Sequence, residues 1–373
     1  MTRPLPPEKR LARALAELRI LVVCGSGGVG KTTTAAALGL AAALEGRRVL
    51  VCTVDPSRRL ATSLGLQSLS GRPRKLDLTR HPPAPGGALY AMTLDTKHTF
   101  DALVERHARD DSARQRILQN RFYREISDAL AGSHEYMAME KLLELSEDER
   151  FDLVVLDTPP TRHALDFLEA PDRLLSFLDT SVLRYFLRPY FAAGRITLKI
   201  ATRTGALALK MADRFLGLQF LEDLSEFFLA FESLYDGFKE RAGKVYALLR
   251  DARSGFVLVA APSGAALQEA LYFHERLLEK AMPFLVFVVN RVHRSSASLR
   301  RGRAGQTPEL AADFKRRLRA VHEDYEALAR AELRAVGRLE VDAGEAPILV
   351  PELETDVHDL AGLRQVAKAL LRE

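Results

Sequence analysis

Residues 20–32 read ILVVCGSGGVGKT: an apolar run from Ile20 to Cys24 that stops at Gly25-Ser26-Gly27-Gly28-Val29-Gly30-Lys31-Thr32. This is the pattern of a phosphate-binding loop, placed as such a loop requires between a strand and the helix predicted over Thr32–Leu44. Glycines let the backbone wrap an anion with its N–H groups pointing inward, and the helix N-terminus behind them adds a favourable partial charge. Lys31 then reaches the β- and γ-phosphates of a nucleotide and the Thr32 hydroxyl takes one Mg²⁺ position, with Thr33 next in the same turn. The competing reading, a plain glycine turn with a chance lysine, does not account for the strand and helix on either side.

Outward from the loop, short apolar runs bounded by turn residues recur at Val49–Val54, Ala88–Leu94, Leu153–Leu156, Phe256–Ala261 and Phe284–Val289, with Ala335–Val341 a further candidate. Runs of this length, rich in Val and flanked by Gly, Pro or Asp, predict parallel strands buried on both faces. The fold class is therefore α/β, a mainly parallel P-loop sheet of seven or eight strands flanked by helices, with ligands at the carboxyl ends of the strands. The rhythm breaks between about Pro171 and Arg250, where Leu221, Leu224, Phe228, Phe231, Tyr235 and Phe238 follow helical spacing. That predicts an inserted helical subdomain over 171–250, with residues 1–170 and 251–373 forming the two parts of the core. Within the second part, residues 291–308 (RVHRSSASLRRGRAGQTP) offer almost nothing to bury and read as a mobile Arg-rich loop.

The chain has 373 residues and a formal charge of +5, too mild an excess to announce a nucleic-acid binder, and no DNA-reading motif is present. Its two cysteines, Cys24 and Cys52, exclude a disulfide framework and cannot by themselves complete a four-ligand zinc site. Nothing near the N-terminus resembles a secretory signal, and no apolar run approaches the roughly 20 residues needed to span a bilayer. A cytoplasmic protein is the expectation.

Two aspartates stand where a nucleotide cycle needs them. Asp157 ends the run Leu153–Leu156 and is placed for the Mg²⁺ side of a phosphate loop, while Asp55 follows Val49–Val54 and is placed to hold the attacking water. Either alone reads equally well as a helix N-cap. With the loop in the same sheet, the catalytic reading is favoured.

The stretches VVCGSGGVGKTTTAAALGLAAALEGRRVLVCTVDPSRRL, DTPPTRHALDFL, VVNRV and VPEL, in that order, resemble the arsenical-pump-driving and tail-anchored-protein-targeting ATPases, a branch of the deviant-Walker-A ATPases. The resemblance covers nearly the whole chain. It implies an ATP hydrolase that works as a nucleotide-gated homodimer and uses ATP and Mg²⁺. It also implies that Asp55 is the catalytic aspartate of a first switch, that Asp157 to His163 form a second, that Asn290 contacts adenine, and that Pro351 and Leu353 belong to the loop over the base.

The departures are as informative. Where family members carry an early lysine (KGGVGKT) that reaches the partner's nucleotide, this chain has Ser26, which supplies no charge. Arg58, Arg59 and Arg162 are the candidates for a substitute arginine finger, against the alternative that they are solvated surface residues. Ser263 stands where a family glutamate approaches the nucleotide. Both cysteines fall in predicted buried strands, which speaks against an arsenite site and a zinc clasp. In the targeting branch the helical insert seats a client's transmembrane helix. Here residues 184–214 carry seven basic residues against Asp213, a basic amphipathic stretch suited to a protein client or a membrane-associated partner. The alternative function is a positioning or scaffolding ATPase that binds an acidic partner, a membrane surface or the nucleoid.

Overall fold

The computed structural model describes residues 5–55, 57–107, 110–119, 133–158, 168–173, 176, 237–295 and 312–372. The chain divides into two compact units, one of residues 1–94, 144–165 and 248–373, the other of residues 95–143 and 166–247.

The first unit is built on one sheet of eight strands: β1 (Ile20–Cys24), β2 (Arg48–Thr53), β3 (Arg74–Lys75), β4 (Ala88–Thr93), β5 (Leu153–Asp157), β6 (Ser254–Ala260), β7 (Phe284–Val292) and β8 (Ile348–Pro351). They lie in the order β3-β4-β2-β5-β1-β6-β7-β8. Every pairing is parallel except the two-residue edge strand β3, which runs antiparallel to β4. All five residues of β1 and of β5 are buried, as strands covered by helices on both faces must be. The chain leaves β1 past β5 to β2, whereas it leaves the neighbouring β6 in the opposite direction to β7, so the carboxyl ends of β1 and β6 flank a topological switch point.

Register sets the chemistry at that end. Val23 of β1 and Thr53 of β2 are both paired with Asp157 of β5, which places the ends of three strands side by side. Behind them runs α2 (Lys31–Leu44), an alanine-rich helix buried on nearly every side. It lies against the sheet on one face and against α9 (Leu360–Leu371) on another, and small side chains permit that close approach. At Gly39 a Cβ would come within 2.4 Å of Val51 Cγ2. The other helices of this unit are α1 (Pro7–Glu17), with proline at its first turn, the short α3 (Arg59–Ser63), α7 (Gly264–Glu279) and α8 (Ala312–Ala343).

Two sequence expectations are corrected here. Ala335–Val341, read as a strand from its apolar alternation, lies inside α8, where Val336 and Leu339 share one buried helical face. Arg291 and Val292 are the last residues of β7 and not part of a loop, and His293 is held by Glu332 and Glu352 at 2.8 and 2.9 Å. The remainder of the predicted loop, 296–308, lies outside the described residues.

The second unit is helical in its described part. It contains α4 (Thr96–His107), α5 (Asp111–Gln119) and most of α6 (Ser133–Ser146), followed by helical segments at 168–173 and from 237 onward. Phe238 is buried between Phe100 and Tyr136, with ring centroids at 6.2 and 6.0 Å, and Arg241 forms a buried ion pair with Glu140. The sequence reading counts residues 95–143 with the core, whereas they group with this helical unit. The other apolar positions singled out for the insert, Leu221 to Tyr235, and the basic stretch 184–214 lie outside the described residues.

The tight seat of Gly39 yields a prediction against helix propensity. Replacing a helical glycine by alanine ordinarily stabilises by up to about 1 kcal/mol. Here Gly39→Ala is expected to destabilise by about 1–2 kcal/mol net, because the methyl group overpacks a stiff β-branched neighbour. Urea unfolding would show this as a lowered midpoint, and a raised midpoint would mean that α2 can move off β2.

Candidate functional site

The loop between β1 and α2 runs close to the end of β7. Gly30 has φ 97°, a left-handed conformation, and a Cβ there would meet Asn290 Nδ2 at 2.1 Å, so this position requires glycine on both counts. The Asn290 amide donates to the Val29 carbonyl at 2.9 Å and so braces the loop from the far side. Lys31 folds back with its ammonium donating to the Ser26 carbonyl at 2.8 Å. Burial holds the Lys31 ammonium below its ordinary pKa, opposed chiefly by the nearby Asp157 charge.

Asp157 is completely buried. Its Oδ2 accepts from the Thr32 hydroxyl at 2.7 Å and from the Thr53 hydroxyl at 2.8 Å. Its Oδ1 has no hydrogen-bond partner among the described residues. Desolvation pushes the carboxyl up to about 6, although both threonines and Lys31 favour the charged form. One carboxylate oxygen thus accepts two hydrogen bonds while the other is buried without a partner among the described residues.

Asp55 stands two residues beyond β2. Its Oδ1 accepts from Ser57 N–H at 2.8 Å, an Asx turn that fixes the carboxylate, and its own N–H donates to Thr53 Oγ1 at 3.2 Å. Thr53 therefore touches both aspartates. Arg59 Nη1 lies 3.5 Å from Asp55 Oδ2 on a side chain that is 62% exposed, a surface ion pair of small worth.

Lys31, Thr32, Asp55 and Asn290 line one cavity of about 760 Å³. Of the sequence-derived site residues it brings together Gly28, Gly30, Lys31, Thr32, Thr33, Asp55, Arg58, Arg59, Asn290, Pro351 and Leu353. Asp157 is not itself in the cavity wall and is joined to it by the hydrogen bond from Thr32. Gly25 carries φ 151° in the same loop. Arg162 and the rest of the second switch after Thr158 lie outside the described residues. Ser263 is not in the cavity wall: its hydroxyl caps α7, accepting from Ala266 N–H at 3.4 Å. Cys24 and Cys52 are buried in β1 and β2, and burial pushes the Cys24 thiol up to about 12.

Several wall residues went unread in the sequence. Thr158 is a wall hydroxyl just beyond β5; Thr53, buried and bonded to Asp157 though not itself in the wall, was findable as the residue that closes β2 two places before Asp55. Arg291 enters at the β7–β8 register shift between Val289 and Val292, where its φ is 60°, and Glu352 and Asp356 enter from the segment that follows β8. No contiguous signal marks a bulge of this kind.

A family model described as Anion-transporting ATPase matches residues 18–336. Relatives among characterised proteins include "ATPase GET3C" of Arabidopsis thaliana, 30% identical over 292 residues that cover 74% of this chain and 67% of that protein. "ATPase ASNA1 homolog 1" of Paramecium tetraurelia is 25% identical over 285 residues, 74% of each chain. "ATPase ASNA1 homolog" of Babesia bovis is 31% identical over 166 residues, which span 44% of this chain and less than half, 41%, of that relative. The family match takes in the phosphate loop, both aspartates and Asn290, and with the parallel sheet that carries them it means that the chain belongs to the family of anion-transporting ATPases.

Proposed function

We propose that this ATPase runs a Mg²⁺-dependent nucleotide cycle in the cavity at the strand ends and uses it to gate the binding of a protein client. The observation that carries the reading is the Asp157 carboxylate, buried with one oxygen held by two threonines and the other unpartnered among the described residues. An uncompensated buried carboxylate is costly, and a cation arriving with a ligand would offset that cost. These residues fit Mg²⁺. Thr32 and Asp157 would hold it, and when bound it supplies positive charge to the phosphate oxygens.

The chain's own groups do the rest. Loop amides from Gly25 to Thr33 bind the phosphates, and Lys31 exchanges its hydrogen bond to the Ser26 carbonyl for phosphate oxygens. Asp55, fixed by the Ser57 N–H, orients a water in line with the γ-phosphorus. The water oxygen bonds to phosphorus as the bond to the β–γ bridging oxygen breaks, ADP departs with that electron pair, and the water proton ends on the phosphate product. Asn290, Pro351 and Leu353 form the base side. Thr53, bonded to the backbone of Asp55 and to Asp157, links the two switches, so loss of the γ-phosphate at one is felt at the other. By the resemblance to the targeting branch, the working unit is a nucleotide-dependent homodimer and the client seat belongs to residues 171–250.

Three measurements test this reading. Lys31→Ala should abolish steady-state ATP hydrolysis. Asp55→Asn should keep nucleotide affinity within about twofold while kcat falls about 10²-fold or more, and an unchanged kcat would remove the water-orienting role. With Ser26 in place of a lysine, one of Arg58→Ala, Arg59→Ala and Arg162→Ala should lower kcat at saturating ATP by about 10³-fold. Three unchanged rates would exclude an arginine finger from this chain.

A further inference from the structure

Helix α8 runs 32 residues from Ala312 to Ala343, and its buried residues are concentrated in its second half, with Glu326 near the middle accepting from the Ser295 hydroxyl at 2.8 Å. Ala329, Glu332, Ala335, Val336 and Leu339 are buried, and the helix lies against α7 and β7. Over the first half the apolar residues Phe314, Leu318, Val321, Tyr325 and Leu328 are exposed, Leu318 to 52% and Val321 to 66%. Their spacings alternate between four and three residues, the heptad pattern, so they form a single narrow stripe along the helix. Isolated exposed apolar residues are ordinary on any surface. Five in consecutive heptad positions are a seam; Tyr325 also meets the His293 ring edge-on, with centroids at 5.2 Å.

The charges beside the seam decide what fits it. Lys315, Arg316, Arg317 and Arg319 flank its first turns, and Glu323, Asp324 and Glu326 flank its last. A second copy running parallel would set basic turns against basic turns. Running antiparallel, it sets basic against acidic at both ends. With Phe314 packed on Tyr325 of the second copy and Leu318 on its Val321, the flanking Arg317 meets Asp324 of that copy. Sliding the pair by one heptad would bring Asp324 against Asp324, so the charges also choose the register. An anionic membrane fits less well, because the acidic turn would be repelled and the seam is narrower than the apolar face of an interfacial helix.

We propose that the first half of α8 pairs with the same segment of a second copy as a short antiparallel coiled coil, independently of nucleotide. The contact is two-fold symmetric, so each charge pair forms twice. In the separate chain Arg317 is 3.2 Å from Asp313, an exposed pair of little worth that gives way to Asp324 of the second copy. Four layers fall short of the three to four heptads that mark a permanent coiled coil, so the association is concentration-dependent. It is a contact separate from the nucleotide-gated dimer and does not rest on that reading.

Sedimentation equilibrium of the full chain without nucleotide tests it, in wild type and in Lys31→Ala. Both should show the same reversible monomer–dimer equilibrium. Leu318→Glu with Val321→Glu should weaken it about tenfold or more, with an unchanged thermal melt because both sites are exposed. Arg317→Asp and Asp324→Arg should each weaken it, and the two together should restore it. A mixture of Phe314→Cys and Tyr325→Cys proteins should cross-link on oxidation where neither alone does. A monomer at every attainable concentration overturns the proposal, as does a dimer indifferent to these variants or a charge swap without rescue. Val321-dependent binding of monomers to anionic vesicles in place of pairing would likewise overturn it. None of these outcomes bears on dimerisation measured with an ATP analogue.

Discussion

One buried carboxylate ties the catalytic edge together. Asp157 receives the hydroxyl of Thr32 from the phosphate loop and that of Thr53 from the end of β2, and Thr53 in turn receives the N–H of Asp55. These bonds close only if β1, β5 and β2 are parallel and in one register, because a slip by one residue would turn Asp157 to the other face of the sheet. The eight-stranded sheet is the frame that keeps those three strand ends level. A fully buried charge is costly in isolation, and the two hydroxyls and Lys31 offset only part of the desolvation that raises its pKa. The fold therefore holds an electrostatic deficit at the point where a cation and a triphosphate are proposed to arrive.

Rigid packing elsewhere permits that deficit. Alanines in α2 let the helix behind the loop sit close to β2 on one side and α9 on another. At the opposite edge of the sheet, Arg47 donates to the carbonyls of Leu15, Leu18 and Asp152 at 2.5 to 2.7 Å. That single guanidinium joins the end of α1 to the start of β5, satisfying carbonyls that the strand ladder does not use. The amino ends of the strands are thus locked by ordinary structural bonds, while the carboxyl ends keep an unspent oxygen.

The legible parts of the sequence were those in which chemistry is contiguous. The phosphate loop declares itself because glycines, lysine and threonine occur in one turn between a strand and a helix; β1, β2, β5, β6 and β7 declare themselves as valine-rich runs, and β4 as the apolar run ALYAMT. Ala335–Val341 misled because AVGRLEV alternates like a strand, yet Val336 and Leu339 are three apart and face the core together on α8. Strands β3 and β8 are too short to stand out, and Ile348–Pro351 gains its meaning only from pairing with β7. Arg291 was invisible because it sits at a register shift, not in a local pattern, and Glu352 and Asp356 because they belong to the segment after that short strand. The grouping of α4 and α5 with the helical unit was equally hidden, since an amphipathic helix does not state which core its apolar face will join.

The spacing of the sheet bears on how a nucleotide is read. β1, which carries the loop, is separated from β8 by β6 and β7, three inter-strand steps or about 14 Å across the carboxyl edge. Lys31, Arg58, Arg59 and Asp55 come from the β1 and β2 side of the cavity, whereas Arg291, Glu352 and Asp356 come from the β7 and β8 side. Formal charge is net positive at the first end and net negative at the second, a balance that favours phosphates at the first. Ser26 sharpens this asymmetry. With no second lysine in the loop, Lys31 and the arginines after Asp55 are the cations that the described wall offers at the phosphate end. Arg59 is already drawn toward Asp55, 3.5 Å away. The pair is weak and its Arg59 side exposed, so Arg59 is free to leave Asp55 for a phosphate without disturbing the Asx turn that fixes the carboxylate.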